Sequence, residues 1–150
     1  MEFTKNDLNK TLWVKPEILE KKRNWYKIDA EWKTLWKIAT DITVRLMWKH
    51  KAYYNEFWDC WDFVVVSNVD KFVVSWNKLQ QKNYYRYSWH KWHVKQKTLE
   101  ELLIKSPEKA IWFAVRWMLP KNKLRDRRMK RLKLFTKESD KYNNLNLQTI

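Results

Sequence analysis

The chain contains no glycine in its 150 residues, although an average chain of this length contains about ten. Glycine is the residue that most readily adopts a positive φ, so every left-handed turn here must be made by Asn, Asp or a strained side chain. Tryptophan, in contrast, occurs 12 times, several times its usual share. The lack of glycine therefore constrains every tight turn of the fold.

The basic composition predicts a polyanionic partner. The net charge is +15, and 32 lysines and arginines are distributed from Lys5 to Lys141. This distribution favours nucleic acid over a membrane surface, which is more typically bound by one amphipathic helix. No apolar run approaches the roughly 20 residues of a membrane span, and the N-terminus lacks the apolar core of a signal peptide. A lone cysteine, Cys60, excludes an intrachain disulfide and suits a reducing compartment.

The first half of the chain has the pattern of a βαβ unit. Trp25–Ala30 is a strand-length run, and Thr34 begins a helix. Asp62–Val69 contains consecutive valines without alternation, which is typical of a strand buried on both faces in a parallel sheet. Phe72–Ser75 repeats that signal. These elements predict an α/β fold. The helix that begins at Thr34 has one apolar face, made of Leu35, Ile38, Ala39, Ile42 and Leu46.

Two further helices are predicted in the second half of the chain. Thr98 and Glu101 form a capping box ahead of the first of them. Ser106 followed by Pro107 begins the second, and Pro120 ends it.

The two ends of the chain are polar. Met1–Arg23 is expected to be an extension that lies on a partner or on the domain surface, with a candidate short helix at Pro16–Lys22. Lys137–Ile150 is expected to be a surface tail. Neither end is expected to be a separate domain, and 150 residues are expected to form one domain.

A dense basic stretch runs from Trp117 to Phe135. Its eight cations stand against a single acid, Asp126. Leu124 and Arg128 are one helical step apart, so a helix of roughly two turns with a basic outer face is predicted. The alternative is a solvated charge run that binds nothing. The cations are Lys121, Lys123, Arg125, Arg127, Arg128, Lys130, Arg131 and Lys133.

A second segment interleaves aromatic and basic residues. Aromatic and guanidinium planes stack on unpaired bases, while lysines neutralise phosphates, so this mixture suits structured RNA. The alternative is a strand on which Tyr84 and Tyr85 point to core and solvent in turn. We expect one of the two tyrosines to lie in each environment. The segment contains Tyr84, Tyr85, Arg86, Tyr87, His90, Lys91 and Lys95.

No catalytic residue, metal site or cofactor is predicted. His90 and His93 have a zinc-like spacing, but the sequence supplies no second pair of ligands near them. Asp59 and Asp62 have no accompanying nucleophile or base, and a chain without glycine cannot form a glycine-rich phosphate loop. An enzyme is therefore not expected.

Several motifs occur together and in order: WYKIDA, KTLWKIAT, WKHKAYY, WDFVVVSNVDK, SWNK, YYRYSWH, WMLPKNKLR and RLKLF. In this order the chain resembles the ribosomal protein L13 family, in its bacterial or organellar form, from about Trp25 to Phe135. The resemblance implies a three-layer α/β/α domain at residues 24–136 with a mostly parallel central sheet of about four strands, an N-terminal extension at 1–23 and a C-terminal tail at 137–150. The basic segment 121–133 belongs to that domain.

The resemblance also implies a function. It implies a structural component of the large ribosomal subunit that binds large-subunit rRNA, contacts neighbouring ribosomal proteins and supports early subunit assembly and translation. No catalysis, membrane or homo-oligomer is implied, and the location would be the ribosome of the bacterial cytoplasm, a plastid or a mitochondrion. The alternative is a free RNA-binding regulatory protein. The residues implied to contact RNA are Lys49, His50, Lys51, Lys78, Tyr85, Arg86, His90, Lys95, Arg116, Lys121, Lys123, Arg125, Arg127, Arg128, Lys130 and Arg131.

The chain departs from the family pattern at its glycines. Arg125 replaces one of them, and tryptophan replaces eight. Our hypothesis is that the source decodes a codon such as UGA as glycine, and that conceptual translation wrote tryptophan. If the tryptophans are real, Trp76 should strain a tight turn and Trp89 should be available to stack on a base. The eight positions are Trp32, Trp36, Trp48, Trp61, Trp76, Trp89, Trp92 and Trp117.

Overall fold

The computed structural model describes residues 23–51, 54, 56, 62–75, 77–138, 140–142 and 144–149. None of the helices in this part of the chain has both the length and the apolarity needed to cross a bilayer. The strands are β1 (Trp25–Asp29), β2 (Phe63–Ser67), β3 (Asn83–Tyr87), β4 (Val94–Thr98), β5 (Leu132–Leu134) and β6 (Leu147–Thr149). The α-helices are α1 (Leu35–Leu46), α2 (Lys78–Gln81), α3 (Leu99–Lys105), α4 (Pro107–Met118) and α5 (Leu124–Lys130), and a 3-10 helix spans Asp140–Tyr142. The candidate helix at Pro16–Lys22 lies outside the described residues.

Four parallel strands form the central sheet in the order β5-β2-β1-β6. The register places Tyr26 opposite Val64, and Val64 opposite Leu132. Because side chains alternate along a strand, these residues share one face of the sheet with Ile28 and Val66, which are fully buried. That face, together with α1, α3 and α4, encloses the apolar core. The predicted α/β class with a parallel sheet of four strands is confirmed.

The helices predicted from the apolar pattern are present. α1 begins one residue after Thr34, and its buried apolar face packs against α4. α4 begins at Pro107 and ends two residues before Pro120. The N–H of Glu101 donates to the Thr98 hydroxyl over 3.3 Å, so Thr98 caps α3 as predicted.

The opposite face of the sheet is covered by aromatic side chains and by the C-terminal tail. The rings of Trp25 and Phe63 stack with their centroids 4.3 Å apart, and the Tyr142 ring lies 5.3 Å from that of Trp25. Val65 is also buried on this face, so β2 is buried on both faces, as its run of valines predicts. The tail then adds β6 beside β1, which its local sequence does not predict.

The prediction of a strand at Phe72–Ser75 is wrong. Within this segment Val73 forms an isolated bridge with Thr34. The N–H of Leu35 donates to the Val73 carbonyl over 3.2 Å, and α1 begins at that same residue. The ladder cannot continue because the backbone groups of a helix bond within the helix.

Left-handed backbone is concentrated at tryptophans. Asparagine tolerates a positive φ, whereas a bulky aromatic side chain is an outlier there. Four of the eight tryptophans at family-glycine positions nevertheless adopt this conformation, which supports the decoding hypothesis at those four positions. In the described part of the chain, the non-glycine residues with positive φ are Trp32 (60°), Trp48 (63°), Asn68 (55°), Trp89 (65°) and Trp92 (69°).

Trp48 occupies a position that usually requires glycine. The N–H of Trp48 donates to the carbonyl of Arg45 over 3.1 Å, and the N–H of Lys49 donates to that of Val44 over 3.1 Å. This pair of bonds at the end of α1 is a Schellman motif, whose left-handed residue is most often glycine. The helix end therefore has glycine geometry with a tryptophan in it.

The remaining four positions do not test the hypothesis. Trp36 and Trp117 lie within α1 and α4, where no positive φ is required. Trp61 and Trp76 lie outside the described residues, so the strain expected at Trp76 is not tested.

Candidate nucleic-acid interface

The aromatic and basic segment folds into a hairpin. β3 and β4 pair in antiparallel register, with Arg86 opposite Lys95. Tyr84 stacks on Phe113 of α4, the ring centroids being 5.4 Å apart, and burial raises the pKa of the Tyr84 hydroxyl. Tyr85, the next residue, is 60% exposed. The alternation predicted for the two tyrosines is confirmed, because one packs on the domain and the other faces solvent.

A cleft of about 740 Å³ separates the start of β3 from the C-terminal half of α4. We call it the basic cleft, because four cations line it and none of its lining residues is acidic. It joins the hairpin to the C-terminal half of α4 and to the start of the basic stretch. The cations are Lys82, Arg116, Lys121 and Arg125. The other lining residues are Asn83, Tyr84, Tyr85, Trp112, Phe113 and Trp117.

Aromatic rings support three of these cations: Lys82, Arg116 and Lys121. The guanidinium carbon of Arg116 lies 4.9 Å from the ring centroid of Trp112, and the Nζ of Lys121 lies 6.0 Å from that of Trp117. Stacking holds a cation in place while its N–H groups stay available to an anion. The Nε of Arg125 is buried and has no hydrogen-bond partner among the described residues. The cleft therefore offers concentrated positive charge and hydrogen-bond donors.

The predicted helix of the basic stretch is confirmed as α5. Lys123, Arg127 and Lys130 are exposed on or beside it. The prediction that Arg128 faces outward is wrong, because this side chain is only 2% exposed. Arg128 lies one helical step from Leu124, so it shares the face of α5 that docks on the domain.

Arg131 lies beside the aromatic cluster of the sheet. It follows α5 directly, and its guanidinium carbon is 5.9 Å from the ring centroid of Phe63. The chain then continues as β5, which pairs with β2. The local sequence did not predict this strand.

Two of the three predicted contacts in the first loop turn inward. Asp62 is fully buried, and its Oδ1 accepts from the Lys51 Nζ over 2.8 Å and from the Asn24 N–H over 2.9 Å. The Nε2 of His50 lies 3.5 Å from the other carboxylate oxygen. The Lys51 side chain is therefore paired with a buried carboxylate, and His50 lies beside it. That His50 and Lys51 contact RNA stays a prediction. Lys49 is exposed, as predicted.

The half-buried His50 should make stability depend on pH. Burial lowers the pKa of His50 from its usual 6.5, and Arg45 and Lys51 lower it further, although Asp62 acts in the opposite direction. The unfolded chain therefore binds the proton more readily, so stability should fall as pH drops from about 7 toward about 5. His50→Gln should make the free energy of unfolding, measured with urea, depend less on pH. His90→Gln is the matched control because His90 is exposed, and equal flattening by both variants would contradict the prediction.

The remaining predicted contacts do not line the basic cleft. Arg86, His90 and Lys95 are exposed on the hairpin. Lys78 lines a neighbouring cleft of about 330 Å³, which also includes Lys82. The residues predicted to contact RNA are therefore divided among the basic cleft, the exposed hairpin and the outer side of α5.

Lys82 and Trp112 are among the lining residues of the basic cleft that were not identified from the sequence. Lys82 directly precedes the aromatic segment, and its Nζ lies 5.5 Å from the ring centroid of Tyr84. That adjacency in sequence is a signal that could have found it. Trp112 lies on a helix whose pattern indicates burial, so no local signal marks its role beneath Arg116.

The described residues contain no group of three or more His, Cys, Asp and Glu side chains that could hold a metal ion. His90 and His93 lie in the turn between β3 and β4, where the N–H of His93 donates to the His90 carbonyl over 3.1 Å. A zinc site would need further ligands beside them.

The chain is similar to ribosomal proteins over most of its length. Residues 23–141 match the family model described as Ribosomal protein L13. The large ribosomal subunit protein uL13 of Aquifex aeolicus (strain VF5) is 44% identical over 126 residues, which cover 84% of this chain and 86% of that protein. Proteins of the same name from Thermotoga petrophila and Thermotoga maritima are each 44% identical over 128 residues, which cover 85% of both chains. The chain therefore belongs to the ribosomal protein L13 family.

Proposed function

We propose that this protein is a structural constituent of the large ribosomal subunit that binds large-subunit rRNA and supports subunit assembly and translation. One observation carries the proposal: the basic cleft joins cations from three segments of the chain and contains no acidic residue. Such a surface attracts phosphate groups. Membership of a structural, non-enzymatic family, whose named relatives are large-subunit proteins, supports the same role.

The proposed RNA surface is narrower than the sequence implies. Its centre is the basic cleft, with Tyr85, Arg116, Lys121 and Arg125. The proposal leaves out the inward-facing His50, Lys51 and Arg128. Exposed cations extend this surface around the cleft and beyond it: Lys49, Lys78, Arg86, Lys95, Lys123, Arg127 and Lys130, with His90 at the hairpin turn.

The proposed setting is a ribosome of the bacterial cytoplasm or of an organelle. The protein partners would be neighbouring large-subunit proteins, and no homo-oligomer is proposed. Residues 24–136 would form the RNA-binding domain, residues 1–23 would reach a partner or the domain surface, and residues 137–150 would form the tail.

Neutralising the basic cleft should weaken RNA binding. We expect the triple variant Arg116→Gln, Lys121→Gln, Arg125→Gln to reduce the slope of log affinity against log salt by about two, because each lost phosphate contact removes about 0.7 to 0.9 from it. Filter binding to a large-subunit rRNA transcript measures the slope. The matched control is Lys37→Gln, Lys105→Gln, Lys109→Gln, which removes the same charge from exposed positions outside the cleft.

An equal loss of slope in both triple variants would contradict the proposed interface. Thermal unfolding of each variant separates lost contacts from lost folding. Sedimentation of cell extracts tests the ribosomal role independently, and a protein found only in light fractions, never with large subunits, would favour a free RNA-binding regulator.

A further inference from the structure

The shape of the basic cleft selects the form of RNA that it can accept. A base-paired A-form helix presents its phosphates along a convex surface, and its bases are stacked inside. The basic cleft is concave, and its volume of about 740 Å³ lies within the range of about 300 to 1,000 Å³ found for pockets that enclose small ligands. A single nucleotide extruded from a helix fits such a space, whereas the helix itself does not.

The lining chemistry matches the two halves of a nucleotide. Tyr85 and Trp112 supply aromatic surface, and Arg116 supplies a planar cation held against the Trp112 ring. Bases stack on such planes in proteins that bind unpaired nucleic acid. Lys121 and Arg125 supply charge for phosphate. Trp117 stands where the family has glycine, and neither the base nor the phosphate of the nucleotide requires its side chain.

We propose that the basic cleft receives one unpaired nucleotide of structured RNA, with its base in the part lined by Tyr85 and Trp112 and its phosphate at Lys121 and Arg125. This inference rests on the proposed function, because it takes RNA as the partner. It adds that the cleft distinguishes unpaired from paired RNA, which charge alone cannot do, since every phosphate carries the same charge.

The test compares two RNAs: a hairpin with one bulged adenosine and the same hairpin without the bulge. The protein should bind the bulged hairpin about tenfold more tightly, and Tyr85→Leu should remove most of that preference, since one stacked base contributes about tenfold or more in affinity. Tyr85→Phe should keep the preference, because it keeps the ring. The salt dependence of Tyr85→Leu should be unchanged, because no cation is lost.

Tyr87→Leu is the matched control. Tyr87 lies on the same strand and is 72% exposed, but it does not line the basic cleft. Equal affinity of the unmodified protein for the two hairpins would overturn the inference while leaving RNA binding intact. Equal loss of preference in Tyr85→Leu and Tyr87→Leu would also overturn it. Failure to bind either hairpin or an rRNA transcript would instead contradict the proposed function.

Discussion

Replacing Trp32, Trp89 and Trp92 together with glycine should raise the free energy of unfolding by about 2 kcal/mol. Each of these residues has a φ between 60° and 69°, where a side chain with a β-carbon costs about 1 to 2 kcal/mol. Glycine removes that cost but loses about 0.5 to 1 kcal/mol through the greater freedom of the unfolded chain. All three side chains are exposed, so little buried apolar area is lost. Urea unfolding with a shared m value measures the change.

A helical tryptophan provides the control for this experiment. Trp36 is also exposed, but it lies inside α1. Trp36→Gly should therefore lower stability by roughly 0.5 kcal/mol, because glycine is a poor helix former. A triple variant no more stable than the original chain would show that the left-handed tryptophans carry no strain. Trp48 is left out of the variant because its side chain is buried, so its loss would combine two opposite effects.

The same positions connect strain to decoding. If the source reads the codon written here as tryptophan as glycine, then the native protein already lacks the strain at positions 32, 89 and 92. Peptide mass spectrometry of native protein at positions 76 and 89 gives the answer directly. Glycine masses would support the hypothesis, and tryptophan masses would end it.

Elements with a strong local pattern could be predicted from the sequence. The apolar face of α1 and the run of valines in β2 each identify an element without knowledge of its partners. Thr98 and Pro107 mark helix starts through their own chemistry. The bounds of these elements in the structure follow the predictions closely.

Elements that depend on distant partners could not be predicted. β6 has three residues and is ordered by pairing with β1, far away in the sequence. Phe72–Ser75 has the composition of a strand, but its single bridge, to Thr34, cannot be extended because α1 begins at the next residue. Pairing energy comes from both strands, so a short segment does not reveal it alone.

The direction of each charged side chain was the least predictable part of the candidate site. Counting cations identified the segments that fold as α5 and as the hairpin, and alternation separated Tyr84 from Tyr85. Arg128 was misassigned although its spacing from Leu124 indicated the docking face. The inward direction of His50 and Lys51 could not be predicted, because Asp62 reaches them only through the fold.

Asp62→Ala should lower the free energy of unfolding by about 3 kcal/mol. Removing one member of a buried charged pair typically costs about 3 to 5 kcal/mol, because the other member stays desolvated. Asp62 is fully buried, but the Lys51 side chain keeps 15% exposure and can regain some water, so the lower end applies. The Asn24 N–H also loses its acceptor. Urea unfolding at neutral pH measures the loss.

An exposed ion pair shows what burial adds to this effect. Glu31 accepts from Lys71 over 3.0 Å, close to the 2.8 Å of the buried pair, yet Glu31→Ala should cost less than about 1 kcal/mol because water screens the pair. Equal costs for the two variants would contradict a structural role for Asp62. If Asp62→Ala is the costlier, the pair of Asp62 and Lys51 belongs to the framework of the fold. RNA affinity per folded molecule should then be unchanged in Asp62→Ala, since the basic cleft lies on other elements.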